Sequence, residues 1–191
     1  MIRIAIFASG SGSNAENIAK YFRDHADIQV ALILSNNPGA YVHDRAKKLG
    51  IPSYTFSKAA FDEGSAVLNT LREYKTDFIV LAGFLLKVSQ PLLDAFPGRI
   101  VNIHPALLPK YGGKGLYGDR VHRAVVEAGE RESGITIHYV NENYDEGDII
   151  FQARCEVIPG ETPEDVARKV HELEYAHFPV VIDALLKKLN R

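Results

Sequence analysis

Four short apolar runs, Ile2 to Ala8, Ile28 to Leu34, Phe78 to Ala82 and Ile100 to Ile103, are separated by longer stretches of helical periodicity. That alternation constrains the fold more than any other feature of the chain. Strands that recur with helices between them cannot be joined by tight hairpins; they run parallel, and the crossover helices cover both faces of the sheet. The first run, Ile-Arg-Ile-Ala-Ile-Phe-Ala, and the third, Phe-Ile-Val-Leu-Ala, are nearly continuous in apolar residues, as strands buried on both faces are. Glu16 to His25 and His43 to Leu49 have helical spacing, with Gly50 placed to end the second, and Pro52 to Phe56 fits a short edge strand. In the second half, Ile135 to Val140 and Ile149 to Val157 alternate in polarity, which suits an antiparallel part of the sheet. Thr162, Pro163, Glu164 and Asp165 supply an N-cap, a first-turn proline and acids for the positive end of a helix dipole. That last helix is expected to reach about Leu189, with a break at Pro179. The fold class expected is α/β, a doubly wound, mostly parallel sheet in a single domain, residues 1–191, since no repeat, low-complexity segment or linker interrupts the chain.

A formal net charge of −2 leaves no electrostatic footprint for nucleic acid, yet a local cluster of donors could still hold a small anion. A hydrophobic share of 46% beside 24% charged residues excludes disordered and fibrous classes. Cys155 is the one cysteine, so neither an intrachain disulfide nor a zinc cage of Cys pairs is available. The apolar N-terminus reaches Ser9-Gly10 too soon for a signal-peptide core, and no apolar run approaches the roughly 20 residues that span a bilayer. The expectation is a cytoplasmic protein with no membrane partner.

Three motifs carry chemistry. After the first strand, Ser9-Gly10-Ser11-Gly12-Ser13-Asn14-Ala15 matches G-x-G-x-x-G/A in a strand-loop-helix context, where bare N–H groups and a helix N-terminus receive a phosphate. A dinucleotide needs an acid at the end of the second strand, but that strand ends Leu34-Ser35-Asn36-Asn37. Ser11, Ser13 and Asn14 add side-chain donors instead, which points to a sugar phosphate. In Ile100-Val101-Asn102-Ile103-His104-Pro105 the polar residues are two apart and share one strand face. At the carboxyl edge of a parallel sheet, such an amide can donate to a developing oxyanion and such an imidazole can move a proton. The stretch Asn141 to Asp148 holds four acids, Glu142, Asp145, Glu146 and Asp148. One of them beside His104 would raise its pKa and hold an imidazolium; the sequence does not choose among them. The glycine-rich stretch Gly112 to Gly118 is either a lid or a surface connection. The seven histidines are scattered without metal-ligand spacing, and no Gly-x-Ser-x-Gly elbow supports a serine hydrolase.

Taken with Leu81-Ala82-Gly83-Phe84 and Asp145-Glu146-Gly147-Asp148-Ile149-Ile150, these motifs occur in the order and spacing of the phosphoribosylglycinamide formyltransferases. The chain resembles this family of folate-dependent enzymes of purine synthesis from Ile2 to about Pro179. The resemblance implies a Rossmann-like formyltransferase fold and transfer of a formyl group from the co-substrate 10-formyltetrahydrofolate to the amine of glycinamide ribonucleotide, without a metal. It assigns catalytic roles to Asn102, His104 and Asp145, and ribonucleotide contacts to Gly12, Ser13, Asn14 and Glu174. Folate contacts fall on Leu85, Leu86, Lys87, Val88 and Asn102. Lys87 stands one position after the place where many members carry an arginine. Residues 1–100 would then form the phosphate-binding half and 101–191 the catalytic and folate-binding half of a monomer or homodimer. The resemblance also implies a cis bond at Leu108–Pro109. The alternatives are a 10-formyltetrahydrofolate hydrolase or another formyltransferase, and a non-catalytic nucleotide-binding module.

Overall fold

Five parallel strands carry the first half of the chain. In the computed structural model, which describes residues 1–189, these are β1 (Ile2–Phe7), β2 (Ile28–Ser35), β3 (Ser53–Thr55), β4 (Phe78–Leu81) and β5 (Ile100–His104). They lie in the order β3-β2-β1-β4-β5 and all pair in parallel. The order reverses at β1, where Phe7 is registered with Leu34 on one side and Leu81 on the other. In doubly wound sheets such a reversal opens the ligand crevice at the carboxyl edge. Ile4, Ile6, Ile33, Leu34, Ile79 and Val80 have no solvent exposure. Each buried side chain of this size contributes about 1.5–3 kcal/mol, which is why apolar runs without alternation settle as central strands.

The helices of this half are α1 (Ser13–Tyr21), α2 (Val42–Leu49), α3 (Lys58–Glu63), α4 (Ser65–Glu73) and α5 (Gln90–Ala95). Helix α1 begins three residues before Glu16 and stops four short of His25. Gly12 in the left-handed region launches it directly from the glycine loop, and the buried Phe22 ends it against the rings of Tyr21 and His25. Gly50 closes α2 at φ 68°, as expected. Helices α3, α4 and α5 have no counterpart among the helices expected from the sequence.

The chain divides into two compact units between Asn102 and Ile103. The second contains α6 (Asp119–Glu127), β6 (Glu132–Tyr139), β7 (Ile149–Glu156) and α7 (Pro163–Leu189). Strands β6 and β7 pair antiparallel, as their alternation suggests, from Glu132 opposite Glu156 onward, with an irregularity between Ile137 and His138. A side chain at Gly134 would lie 2.0 Å from the Ala153 carbonyl, so the close approach of the two strands requires glycine. Strand β6 departs from expectation in one respect: Ser133 to His138 are all buried, so its polar residues point into protein. Helix α7 buries Val166, Val170, Glu174, Phe178, Ile182 and Leu186, one residue per turn. It runs through Pro179 without the expected break, because Pro179 is itself buried on the packed side and tertiary burial offsets one lost backbone bond. Thr162 and Asp165 form its reciprocal cap. Among the described residues no helix is long and apolar enough to cross a membrane.

Candidate active site

In the first unit, three sequence-predicted segments emerge side by side at the carboxyl edge. The glycine loop follows β1, Leu85 to Val88 follow β4, and Asn102 lies in β5 in register with Leu81. Gly12 is left-handed (φ 72°, ψ 24°) and Ser13 is the first residue of α1. Such an αL–αR succession gathers consecutive N–H groups into an anion-binding concavity at the positive end of a helix. A side chain at Gly12 would lie 2.3 Å from Val42 Cγ2, so glycine is required for packing as well as for conformation. Ser9 ties the loop to its neighbours: its hydroxyl donates to Asn36 Oδ1 at 2.6 Å and accepts from the Leu85 N–H at 3.0 Å. Phe84 packs edge-on to Phe7 at 5.4 Å and to Phe61 at 5.3 Å. Those contacts fix the start of the 85–88 segment, in which Leu85 and Lys87 are exposed and Val88 is buried. Lys87 is therefore available to an anionic ligand.

In the second unit, His104 is buried at the end of β5. Its Nε2 lies 2.7 Å from the Tyr111 carbonyl. A carbonyl only accepts, so this contact assigns the hydrogen to Nε2 and leaves Nδ1 facing Asp145 Oδ2 at 3.5 Å. Burial drives the His104 imidazole below its ordinary value, against Asp145 and the Tyr111 carbonyl, which work to raise it. This corrects the expectation of a raised pKa: desolvation of the charged ring outweighs one carboxylate, and the ring is neutral at rest near pH 7. Asp145 is the acid selected from the four, while Glu142, Glu146 and Asp148 are exposed. Burial works to raise its carboxyl, but His138, His104 and the Gly113 N–H together carry it below the usual carboxylate range. The Gly113 N–H donates to Oδ2 at 2.9 Å, and His138 Nε2 lies 3.7 Å from Oδ1. Asp145 has φ 55°, a conformation that aspartate tolerates better than most side chains. Gly147 lets the loop close: a side chain there would lie 1.7 Å from the Tyr139 carbonyl.

The turn that presents the Tyr111 carbonyl is held from beneath. Thr136 Oγ1 donates to the Ala106 carbonyl at 2.7 Å and accepts from the Leu108 N–H at 3.0 Å. Gln152 Nε2 donates to Thr136 Oγ1 at 2.9 Å and to the Leu108 carbonyl at 3.0 Å. Leu108–Pro109 is cis, as the resemblance implies. The 112–118 stretch is anchored where it begins, since Gly112 packs against Leu108 and Gly113 bonds Asp145.

Glu174, also buried, receives His171 Nδ1 at 3.0 Å. That hydrogen bond raises the His171 pKa, whereas burial lowers that of His122. The His122 ring lies 6.3 Å from that of His171. Four of the histidines that look scattered in sequence thus surround two carboxylates. Among the described residues no group of three or more His, Cys, Asp and Glu side chains could hold a metal ion. Sequence reasoning missed His138, Thr136 and Tyr111. The first two sit at alternate positions of a strand whose inward polar face was the available signal; for a backbone carbonyl, as at Tyr111, there is none.

The formyl transferase family matches residues 2–182. The chain is 38% identical to phosphoribosylglycinamide formyltransferase of Bacillus subtilis over all of this chain and 98% of that protein. It is 42% identical to the chloroplastic phosphoribosylglycinamide formyltransferase of Arabidopsis thaliana over 97% of this chain, spanning 66% of the plant protein's length. The crystal structure of phosphoribosylglycinamide formyltransferase from Bacillus halodurans is similar with a TM-score of 0.89 at 36% identity, covering 98% of this chain and 96% of that one.

Proposed function

The chain belongs to the formyl transferase family, and on that premise we propose that it transfers the formyl group of 10-formyltetrahydrofolate to the amine of glycinamide ribonucleotide in purine synthesis. The observation that carries the reading is the one-proton vacancy at His104. Its Nε2 is committed to the Tyr111 carbonyl, and its Nδ1 faces the Asp145 carboxylate. Attack of the neutral amine on the formyl carbon forms a C–N bond and a tetrahedral oxyanion, and leaves one proton too many on the attacking nitrogen. His104 Nδ1 takes that proton, directly or through a water. The imidazolium so formed is stabilised by Asp145 on one side and by the Tyr111 carbonyl on the other. Asn102, two residues earlier on the same strand, donates to the oxyanion; one donor of this kind contributes about 2.7–4 kcal/mol. Collapse breaks the bond to folate N10, and His104 returns the proton to that nitrogen.

The left-handed Gly12, the Ser13 and Asn14 donors and the α1 N-terminus take the ribonucleotide phosphate, and Glu174 contacts the same substrate. Leu85, Leu86, Lys87 and Val88 line the folate position. The phosphate loop and the 85–88 segment both lie in the first unit, so folate contacts assigned to Leu85, Leu86, Lys87 and Val88 do not fall in the second half as expected, while His104, Asp145 and Glu174 lie in the second unit. The test is to follow tetrahydrofolate formation from 10-formyltetrahydrofolate with and without glycinamide ribonucleotide. Acceptor-dependent release is expected. Release without acceptor would replace the reading with hydrolysis, and no release in either case would leave a nucleotide-binding module.

A further inference from the structure

We propose that α2 is the back plate of the phosphate loop and that Arg45, on that helix, is a positioning residue for the ribonucleotide phosphate. The inference deepens the assignment of residues 10–14 to that phosphate and rests on it. Three successive loop carbonyls are turned into the scaffold. Gly10 accepts from the Val42 N–H at 3.1 Å, Ser11 from Arg45 Nε at 2.8 Å and Gly12 from the Glu16 N–H at 2.9 Å. In a trans peptide the C=O and N–H point in opposite directions. Pinning the Gly10 and Ser11 carbonyls therefore aims the N–H groups of Ser11 and Gly12 away from α2, toward the concavity. Two of these three anchors are backbone groups; the hold on Ser11 comes from a side chain.

Arg45 has a second task. Glu16 lies in the first turn of α1, where a carboxylate would repel an incoming phosphate dianion. Arg45 pairs with that carboxylate through its Nη1, and Lys20 does so from the next turn at 2.6 Å. The guanidinium also lies over the Tyr41 ring, 5.0 Å from its centroid. A planar fork with donors on several edges can bind Ser11 and Glu16 at once; an ammonium on a flexible stem cannot reproduce that geometry. Arg45 thus orients the Ser11–Gly12 peptide and removes the charge that opposes the ligand, without itself touching the phosphate.

The readout is phosphate discrimination: the ratio of kcat/KM for glycinamide ribonucleotide to that for the dephosphorylated glycinamide riboside. For Arg45→Met this ratio should fall about tenfold relative to the parent, equivalent to about 1.4 kcal/mol. Competitive inhibition by inorganic phosphate should weaken by a similar factor. Arg45→Lys should recover part of the ratio. Arg45→Met combined with Glu16→Gln should recover the part due to charge and leave the part due to peptide orientation. A helix contact of purely structural value would lower both acceptors together and leave the ratio unchanged, which would overturn the proposal while the loop assignment stands. A parent protein that uses the riboside as well as the ribonucleotide would instead remove the loop assignment itself.

Discussion

Asp145→Asn isolates the charge proposed to stabilise a transient imidazolium. The amide is nearly isosteric and keeps an oxygen to accept the Gly113 N–H, so the change removes one unit charge 3.5 Å from His104 Nδ1 and little else. At that separation, two unit charges in an effective dielectric of about 20 attract by about 4–5 kcal/mol. With about 1.4 kcal/mol per factor of ten in rate, kcat should fall on the order of a thousandfold. Single-turnover measurements at saturating ribonucleotide and 10-formyltetrahydrofolate read this directly, and the ribonucleotide KM should hold, since Asp145 acts on the proton rather than on the phosphate. Because Asp145 works through His104, the double variant with His104→Ala should lose no more than His104→Ala alone. A single variant whose kcat stays within about tenfold of the parent, or a double variant whose losses simply multiply, would refute the argument.

Stability should respond to pH through the same histidine. Burial holds the folded-state pKa of His104 below the ordinary 6.5, so folding favours the neutral ring. Its contribution is complete above that value and is lost as pH falls through the lower folded pKa. The urea midpoint of the parent should therefore drop more between about pH 7 and pH 5 than that of His104→Gln; parallel drops would contradict the burial argument. His122 carries the same sign and His171 the opposite, which is why the comparison is between variants. Thr136→Val leaves the Ala106 carbonyl and the Leu108 N–H without their buried partner. At about 1–3 kcal/mol per orphaned group the loss should be about 2–6 kcal/mol by urea denaturation, with Thr136→Ser recovering most of it. A loss below about 1 kcal/mol would show that water or Gln152 replaces the hydroxyl.

The parallel strands were legible because β1, Arg3 apart, and β4 are buried on both faces and show it as nearly continuous apolar runs. Helices α3, α4, α5 and α6 were not: α3 and α5 are only six residues long, whereas α4 and α6 match the legible α1 in length, so shortness does not account for them. At the site, Asn102 and His104 could be read because period two places them together on one strand. The glycine loop could be read because Gly12 must be both left-handed and bare. Asp145 could not be picked out of four acids by sequence physics: what distinguishes it is a φ of 55° and the neighbours this turns it toward. The family pattern supplied what local chemistry left open. Pro179 shows the opposite failure, a strong local rule overridden by packing that the helix sequence alone does not display.

The protonation state of His104 shows most clearly what residue lists leave out. A carboxylate near a histidine argues for an imidazolium, and the sequence supplies the carboxylate. It does not supply the desolvation, which comes from the burial of His104 in the folded chain. The sign of the shift reverses the chemistry. A permanently charged ring could stabilise an oxyanion but could not accept the proton that the attacking amine must shed. In the proposed mechanism a neutral ring with Nε2–H already engaged accepts at Nδ1 and becomes cationic as the oxyanion forms, so its charge would be present in the transition state and absent from the ground state. Catalysis draws on that difference rather than on uniform attraction. Any substitution that lets water reach His104 should raise its resting pKa, lowering the fraction of neutral ring able to accept the proton while increasing the static charge, two effects that act in opposite directions on rate.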